Sequence, residues 1–445
     1  MDKQRIVEIF YFDAGGGHRN AMNALSEVLA DAPHEWIVKP INLQAILEPI
    51  DPIYRLTDRL SVIGDVLDEV KPKLSPVLQK FLEVIASKLT FRILQSDQFY
   101  NELLKRDRTS GMDILLPILQ RLIKLASGKI QTLLKQHWKH VDYKPDMIIS
   151  VIPNFNAVLH KSLKKVYPHT PYVTIMTDMV DVPPYFWMEK QDQFIICGTP
   201  VAHAQALATG FYRPEKVHLV SGMILKKCFY DADSLEEMPS LLSDLSTSPS
   251  TKTALVMFGG HGSFLSEQIV DQLNASHLDI QTIVMCGHNK ALYEKLQSKR
   301  NCHPIPFVNN VAPYMRHADF FIGKPGPGSI SEAVYLKCPL VVESNSATMP
   351  QERPNIDWIL QNQIGVAVKD LETDVGEAVE RMLLNLDTYQ QNIDKLKTNQ
   401  AVFEIADILN HIIETAHVSA NENIPKPLKQ NRFGRSLFSK NKRTR

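Results

Sequence analysis

The chain has 445 residues, 44% of them hydrophobic and 22% charged, and its formal net charge is zero. That length exceeds one typical core, so two domains are expected, and the composition is ordinary for a globular protein. Balanced charge gives no electrostatic footprint for nucleic acid, and no apolar run is long enough to span a bilayer. The five cysteines show no CxxC spacing. Cys197, Cys286 and Cys338 lie in or beside apolar runs, so buried free thiols and a reducing, cytoplasmic setting are expected.

From the start, Ile6 to Phe12 reads as a buried strand rather than a signal peptide. Asp13-Ala14-Gly15-Gly16-Gly17-His18 follows, and Arg19 to Leu29 reads as a helix. This strand, glycine turn and helix is not GxGxxG. The next strand, Trp36 to Leu43, offers Asn42 where a dinucleotide ribose needs an acid, which argues against a Rossmann cofactor site. His18 stands at the helix start, where the cationic form is disfavoured. A neutral imidazole there suits a general base; the alternative is a surface histidine closing the loop.

Residues from about 49 to 136 change character: helical in pattern and poor in glycine. Leu56, Leu60, Ile63, Leu67 and Val70 form an apolar stripe, with Arg55, Arg59, Lys71, Lys73, Lys80, Lys88 and Arg92 around it. Two readings stand: a helical insertion packed on the first domain, or an interfacial surface meeting anionic lipid. Strands follow at Asp146–Ile152, with Pro153 and Asn154 in the loop after it, and at Tyr172–Asp178. An acid at the carboxyl end of a parallel strand faces the ligand crevice, so Asp178 is a candidate to orient His18 or contact an acceptor; the alternative is a loop-capping Asp. Strands at Gln193–Cys197 and Val217–Val220 complete the first domain.

Residues 231–253, dense in Ser, Asp, Thr and Pro, read as a linker. Ala254 to Phe258 opens a second series of strands, and Gly259-Gly260-His261-Gly262-Ser263 is its glycine turn. Thr282 to Cys286 is a strand closing on Gly287-His288-Asn289. Phe320 to Ile322 and Pro339 to Val342 are others, the first followed by Lys324-Pro325-Gly326-Pro327-Gly328. Ser329 at an N-cap with Glu332 three residues on has capping-box spacing. A glycine turn feeding a helix leaves free backbone N–H groups at the positive end of a helix dipole, a place for phosphate. Glu332 then either caps its helix or accepts ribose hydroxyls. Helices are expected at Val375–Leu386 and Gln400–Thr415. From Lys426 to Arg445 the tail is basic, with Phe433, Leu437 and Phe438 among the charges, a composition that suits an anionic membrane surface; the alternatives are a disordered solubilising tail and a nucleic-acid patch.

The run Lys324-Pro-Gly-Pro-Gly-Ser-Ile-Ser-Glu-Ala333 followed by Gln351-Glu-Arg-Pro-Asn355 resembles the monogalactosyldiacylglycerol synthase and processive diacylglycerol glucosyltransferase family. More distantly, it resembles the transferase that adds N-acetylglucosamine to the peptidoglycan lipid precursor. The GGGH turn, Thr177-Asp178 with Trp187, Ser221-Gly-Met-Ile224 and Cys286-Gly-His-Asn289 extend the likeness to about Val418. Three positions depart from it: Pro183 where plant-type members carry histidine, His288 for an arginine, and Pro350 for a glycine.

The resemblance implies an α/β protein of two doubly wound Rossmann-like domains facing a cleft (GT-B), with a helical insertion. The expected division is 1–230 for the acceptor domain, 231–253 for the linker, 254–400 for the UDP-sugar domain, 401–420 for a closing helix and 421–445 for a tail. The implied activity is transfer of galactose or glucose from a UDP-sugar to diacylglycerol with inversion, at the inner face of the membrane. His18 is the expected base, with Gly16, Gly17 and Asn154 on the acceptor side. Gly259, Gly260, Ser263, Lys324, Gly326, Gly328 and Ser329 are expected at the diphosphate, and Phe307 and Val308 at the uracil. Glu332 is expected at the ribose, and Gln351, Glu352 and Asn355 at the hexose. No DxD-type site stands in the right place, so no catalytic metal or other cofactor is expected. The rivals are a UDP-sugar 2-epimerase on the same scaffold and a transferase to another lipid alcohol.

Overall fold

The computed structural model describes residues 4–13, 16–32, 36–47, 112–231, 240–242, 245, 248, 250–346 and 348–422. The apolar stripe from Leu56 to Val70, most of the proposed insertion, much of the linker and the basic tail lie outside the described residues. The described chain forms two parallel sheets of six strands each.

The first sheet contains β1 (Arg5–Tyr11), β2 (Trp36–Asn42), β3 (Met147–Ser150), β4 (Tyr172–Ile175), β5 (Phe194–Cys197) and β6 (Val217–Leu219). Its order is β2-β1-β3-β4-β5-β6. Helices α1 (Gly17–Ala30), α2 (Leu43–Leu47), α3 (Met112–His140), α4 (Asn156–Val166) and α5 (Pro200–Ala208) connect and cover it. The central strands are buried on both faces, which is why they read as continuous apolar runs instead of alternating. Ser150, Thr174 and Glu8 are the buried polar exceptions, and only the last is a charged type. Glu8 on β1 is fully buried and accepts hydrogen bonds from Trp138 Nε1 at 2.7 Å and Tyr143 Oη at 3.0 Å, which fasten the end of α3 to the sheet.

The second sheet contains β7 (Lys252–Met257), β8 (Ile280–Gly287), β9 (Cys302–Pro306), β10 (Phe320–Gly323), β11 (Leu340–Glu343) and β12 (Gly365–Val368). Its order is β12-β11-β10-β7-β8-β9. The accompanying helices are α6 (Leu265–Ala275), α7 (Lys290–Leu296), α8 (Ala312–Arg316), α9 (Pro327–Tyr335), α10 (Arg353–Gln361), α11 (Leu371–Leu384) and α12 (Leu386–Asp394). Two strands were invisible to pattern reading, and both are at edges. β9 carries two prolines, tolerable because it pairs only with β8. β12 pairs only with β11. Cys197, Cys286 and Cys338 are buried free thiols.

The last helix, α13 (Ala401–Glu422), leaves the second sheet and packs on the first. Ala401, Val402, Ile405, Ala406, Leu409, Ile412 and Ile413 share one face and join the core around Val7, Ile9 and Leu25. The crossing point is pinned at a turn of the first domain. Ser221 Oγ accepts from Gln400 N at 2.7 Å, and Asn399 Nδ2 donates to Met223 O at 2.8 Å. A Cβ on Gly222 would meet the Asn399 side chain at 2.6 Å, so the turn has room for glycine alone. Strand order reverses between β1 and β3 in one sheet and between β7 and β10 in the other. Ligands bind at such switch points, outside the carboxyl ends of the strands.

Candidate active site

One cavity of about 1070 Å³ is lined by turns from both switch points. The first domain supplies Gly16, Gly17, His18, Asn154 and Asp178. The second supplies Gly259, Gly260, Ser263, Phe307, Val308, Lys324, Gly326, Gly328, Ser329, Glu332, Gln351 and Glu352. Residues far apart in sequence thus converge on one space.

Gly16 takes φ +85°, and α1 begins at Gly17 with no side chain capping it. His18 is therefore in the first turn, half-buried in the cavity wall. Its Nδ1 lies 3.1 Å from Thr177 Oγ1, and its ring centroid is 6.2 Å from that of Trp187. Burial drives its pKa down from 6.5 to about 4, opposed in part by a hydrogen bond to the Val151 backbone. The ring is neutral at pH 7, as its place in the sequence suggests, but burial is the principal cause.

Asp178 does not touch that ring. Its Oδ2 accepts from Trp187 Nε1 at 2.8 Å, so Thr177, not Asp178, is hydrogen-bonded to the histidine. Burial raises the Asp178 carboxyl to about 6, the Trp187 hydrogen bond works against this, and the charge of Asp181 adds to it. Asn154 holds φ 66° through a bond from its N–H to Phe186 O at 2.7 Å. Its buried Oδ1 has no hydrogen-bond partner. The same wall carries Phe12, Leu47 and Phe155 together with Leu116, Leu119 and Ile123, the last three from the 49–136 segment that reads either as an insertion packed on the first domain or as a surface meeting lipid.

The second wall is built from backbone. Gly262 (φ +65°) and Gly287 (φ +57°) pack main chain against main chain. A Cβ on Gly262 would fall 2.2 Å from Cys286 O, and one on Gly287 would fall 2.3 Å from Gly260 O. His288 N donates to Gly260 O at 3.0 Å, which locks the two turns together. The His288 ring stacks on Phe307 with centroids 3.9 Å apart and planes at 15°. Ser263 Oγ accepts from Leu265 N at 3.3 Å, at the start of α6.

The capping box expected at Ser329 and Glu332 is not formed. Pro327, whose fixed φ suits the first helical position, starts α9 three residues earlier, with Gly326 as an N-cap that offers no side chain. Ser329 lies inside the first turn and Glu332 in the second, away from the orphan N–H groups. Glu332 instead lines the cavity, and burial raises its carboxyl to about 7 against the nearby charge of Lys226. Lys226 comes from the first domain and lines the same cavity. Its Nζ donates to Asn309 O at 3.2 Å. Its single charge in a mixed segment gave no signal in the sequence.

Glu352 lies beside Gly326, since a Cβ there would be 3.6 Å from its Oε1. Burial raises its carboxyl to about 7; Lys324 opposes this, and Asp178 on the facing wall adds to it. Gln351 is buried and its Oε1 has no partner. Asn355 is the residue that the structure removes from the lining. It sits fully buried in the first turn of α10, where its Nδ2 donates to Pro325 O at 2.8 Å. It holds the Pro325 turn from behind, because the helix begins early enough to turn it from the cavity.

Two parallel sheets with a shared cleft define the GT-B architecture, and solved structures agree. Arabidopsis thaliana UGT89C1, solved with UDP-L-rhamnose, superposes with TM-score 0.54 over 92% of this chain and 99% of its own at 12% identity, a likeness of fold alone. Residues 253–412 match the glycosyltransferase family 28 C-terminal domain. The probable monogalactosyldiacylglycerol synthase 2 of Oryza sativa subsp. indica is 29% identical over 59% of this chain and 58% of its own length. Monogalactosyldiacylglycerol synthase 2 of Arabidopsis thaliana is 26% identical over 62% of this chain and 60% of its own. In sequence the chain is similar to the monogalactosyldiacylglycerol synthases over about three fifths of its length, and its fold is that of GT-B proteins. It spans about 58–60% of the length of these two relatives.

Proposed function

We propose that this protein moves a hexose, galactose or glucose, from a UDP-sugar to the hydroxyl of diacylglycerol with inversion. The observation that carries this reading is the shared cavity: a neutral, half-buried histidine and an apolar surface on one wall, and the uncapped start of α9 with tight glycine turns on the other.

In this reading the diphosphate lies against the turns at Gly259–Gly260 and Gly326–Gly328. Ser263, Ser329, Lys324 and the Lys226 ammonium add donors and charge. Phe307 and Val308 border the uracil, Glu332 accepts ribose hydroxyls, and Gln351 and Glu352 contact the hexose. The acceptor alcohol enters past Gly16, Gly17 and Asn154, its acyl chains against Leu116, Leu119 and Ile123. His18 removes the hydroxyl proton as the oxygen attacks the anomeric carbon, and the bond to UDP breaks on the opposite face. Backbone N–H groups and the positive ends of α6 and α9 stabilise the charge that grows on the departing diphosphate.

Among the described residues no helix is long and apolar enough to cross a membrane. Our reading places the protein peripherally, on the cytoplasmic face of an anionic membrane. The test is labelled UDP-galactose and UDP-glucose offered with diacylglycerol in anionic vesicles, with products separated by chromatography and the vesicles sedimented. Labelled glycolipid formed by the wild type but not by His18→Ala supports the reading. Turnover of the nucleotide sugar without glycolipid, by protein that stays in the supernatant, overturns it.

A further inference from the structure

The His18 ring has two nitrogens, and only a lone pair facing the cavity can take a proton from an acceptor. Which nitrogen carries hydrogen is set by what the other one meets. On the protein side the ring meets Thr177 Oγ1, 3.1 Å from Nδ1, and a hydrogen bond to the Val151 backbone that favours the charged ring. A bond of that kind is one in which the ring donates, because a carbonyl only accepts. Val151 and Thr177 lie just past the carboxyl ends of the neighbouring strands β3 and β4.

We propose that Thr177 is a positioning residue: its hydroxyl accepts the hydrogen carried on Nδ1 of His18 and turns the Nε2 lone pair into the cavity. This rests on His18 being the base. Histidine bases are often oriented by a carboxylate, which also stabilises the imidazolium and raises the basicity of the ring. Here the neighbouring carboxylate, Asp178, is engaged by Trp187 Nε1. A neutral hydroxyl fixes the direction of the ring without drawing a second proton onto it, so the base is unprotonated throughout the neutral range. Other charged groups face the same space. On the segment carrying His18, Arg19 is paired with Asp13 at 2.8 Å. Asp178 lies on the wall beside Thr177, Lys226 follows β6, and Lys324, Glu332 and Glu352 face it from the second domain. His261 and His288 line the second-domain wall as well.

The test uses the full chain labelled with ¹⁵N-histidine, His18 being assigned from the signal lost in His18→Gln. The wild type is expected to show a protonated Nδ1 and an unprotonated Nε2 at pH 7. Thr177→Val keeps the shape and removes the hydroxyl. It is expected to mix the two tautomers and to lower kcat about tenfold, the scale of one lost hydrogen bond. KM for the UDP-sugar and UDP affinity should stay within twofold, which also shows that the variant is folded. Thr177→Ser should restore both tautomer and rate. Thr177→Asp should move the His18 titration midpoint, read from its own ¹⁵N signals, upward toward neutrality. A wild-type ring protonated at Nε2, or a Thr177→Val protein with unchanged tautomer and kcat within twofold, overturns the proposal. Retained transfer by His18→Ala would instead overturn the assignment of the base while leaving the tautomer measurement to stand by itself.

Discussion

The glycine turns on the two walls of the cleft look alike in sequence and differ in physics. In the first domain, Gly16 supplies a positive φ and then open space: a Cβ there, or on Gly17, would meet nothing within 4 Å. That turn exists to present a side chain, His18. In the second domain, Gly262 and Gly287 are wedged against carbonyl oxygens, and the product of the turn is a backbone surface. In the proposed reading one wall works through an imidazole, the other through amides. Glycine therefore has two distinct uses here, conformational freedom and close approach, and only the second makes a main-chain cradle.

The comparison breaks most sharply at His18. His18→Ala should lower kcat by about 10²–10⁴-fold, the range for a positioned general base, with UDP affinity within a few-fold. Steady-state kinetics with calorimetry separates the two. Comparable loss of UDP binding would show that both walls hold the donor.

Next is Gly262→Ala. Its Cβ would clash with Cys286 O at 2.2 Å and occupy a strained φ, which displaces the turn. UDP affinity should fall by about tenfold or more, and Tm should drop by several degrees, as for about 1–3 kcal/mol of strain. Unchanged affinity would mean that the diphosphate lies elsewhere.

A smaller effect concerns protons. The Glu332 carboxyl, raised to about 7, is partly protonated at pH 7 in the free protein. Hydroxyls donating to it favour the ionised form, so UDP binding at pH 7 should release a fraction of a proton. Calorimetry in two buffers of different ionisation heat measures this. UDP alone, lacking the hexose, isolates Glu332 from Glu352, and Glu332→Gln should abolish the release. The sign for stability follows from the same shift. A carboxyl whose folded pKa is raised stabilises the fold below about 4.5, and that contribution is lost as the pH rises through about 7. His18, lowered to about 4, acts the other way: it disfavours the fold as the pH drops below about 6.5.

The smallest expected effect is Gly17→Ala, in helical backbone with open space, which should change stability by less than about 1 kcal/mol and leave UDP affinity intact. A large loss there would show that backbone N–H groups of the first turn also hold ligand.

Much of the site was legible locally. A strand, a glycine turn and a helix are each short-range patterns, so His18, the Gly259–Ser263 turn and the Lys324–Gly328 turn could be found without neighbours. Legibility failed where a competing local rule acted. Pro327 moved the start of α9, which dissolved the capping box and left Glu332 facing the cavity. The start of α10 turned Asn355 behind the Pro325 turn. The prolines of β9 hid an edge strand.

The chain order of apolar strands and glycine turns was enough to specify two wound α/β halves, because each element obeys its own periodicity and turn chemistry. What the order of residues did not contain is distance between its parts. That Thr177 rather than Asp178 meets the histidine, that Lys226 of one half approaches Glu332 of the other, and that α13 returns to the first sheet all depend on packing between segments more than a hundred residues apart. Burial, which sets the protonation of His18, Glu332 and Glu352, is likewise a property of the closed cleft and not of any stretch of sequence.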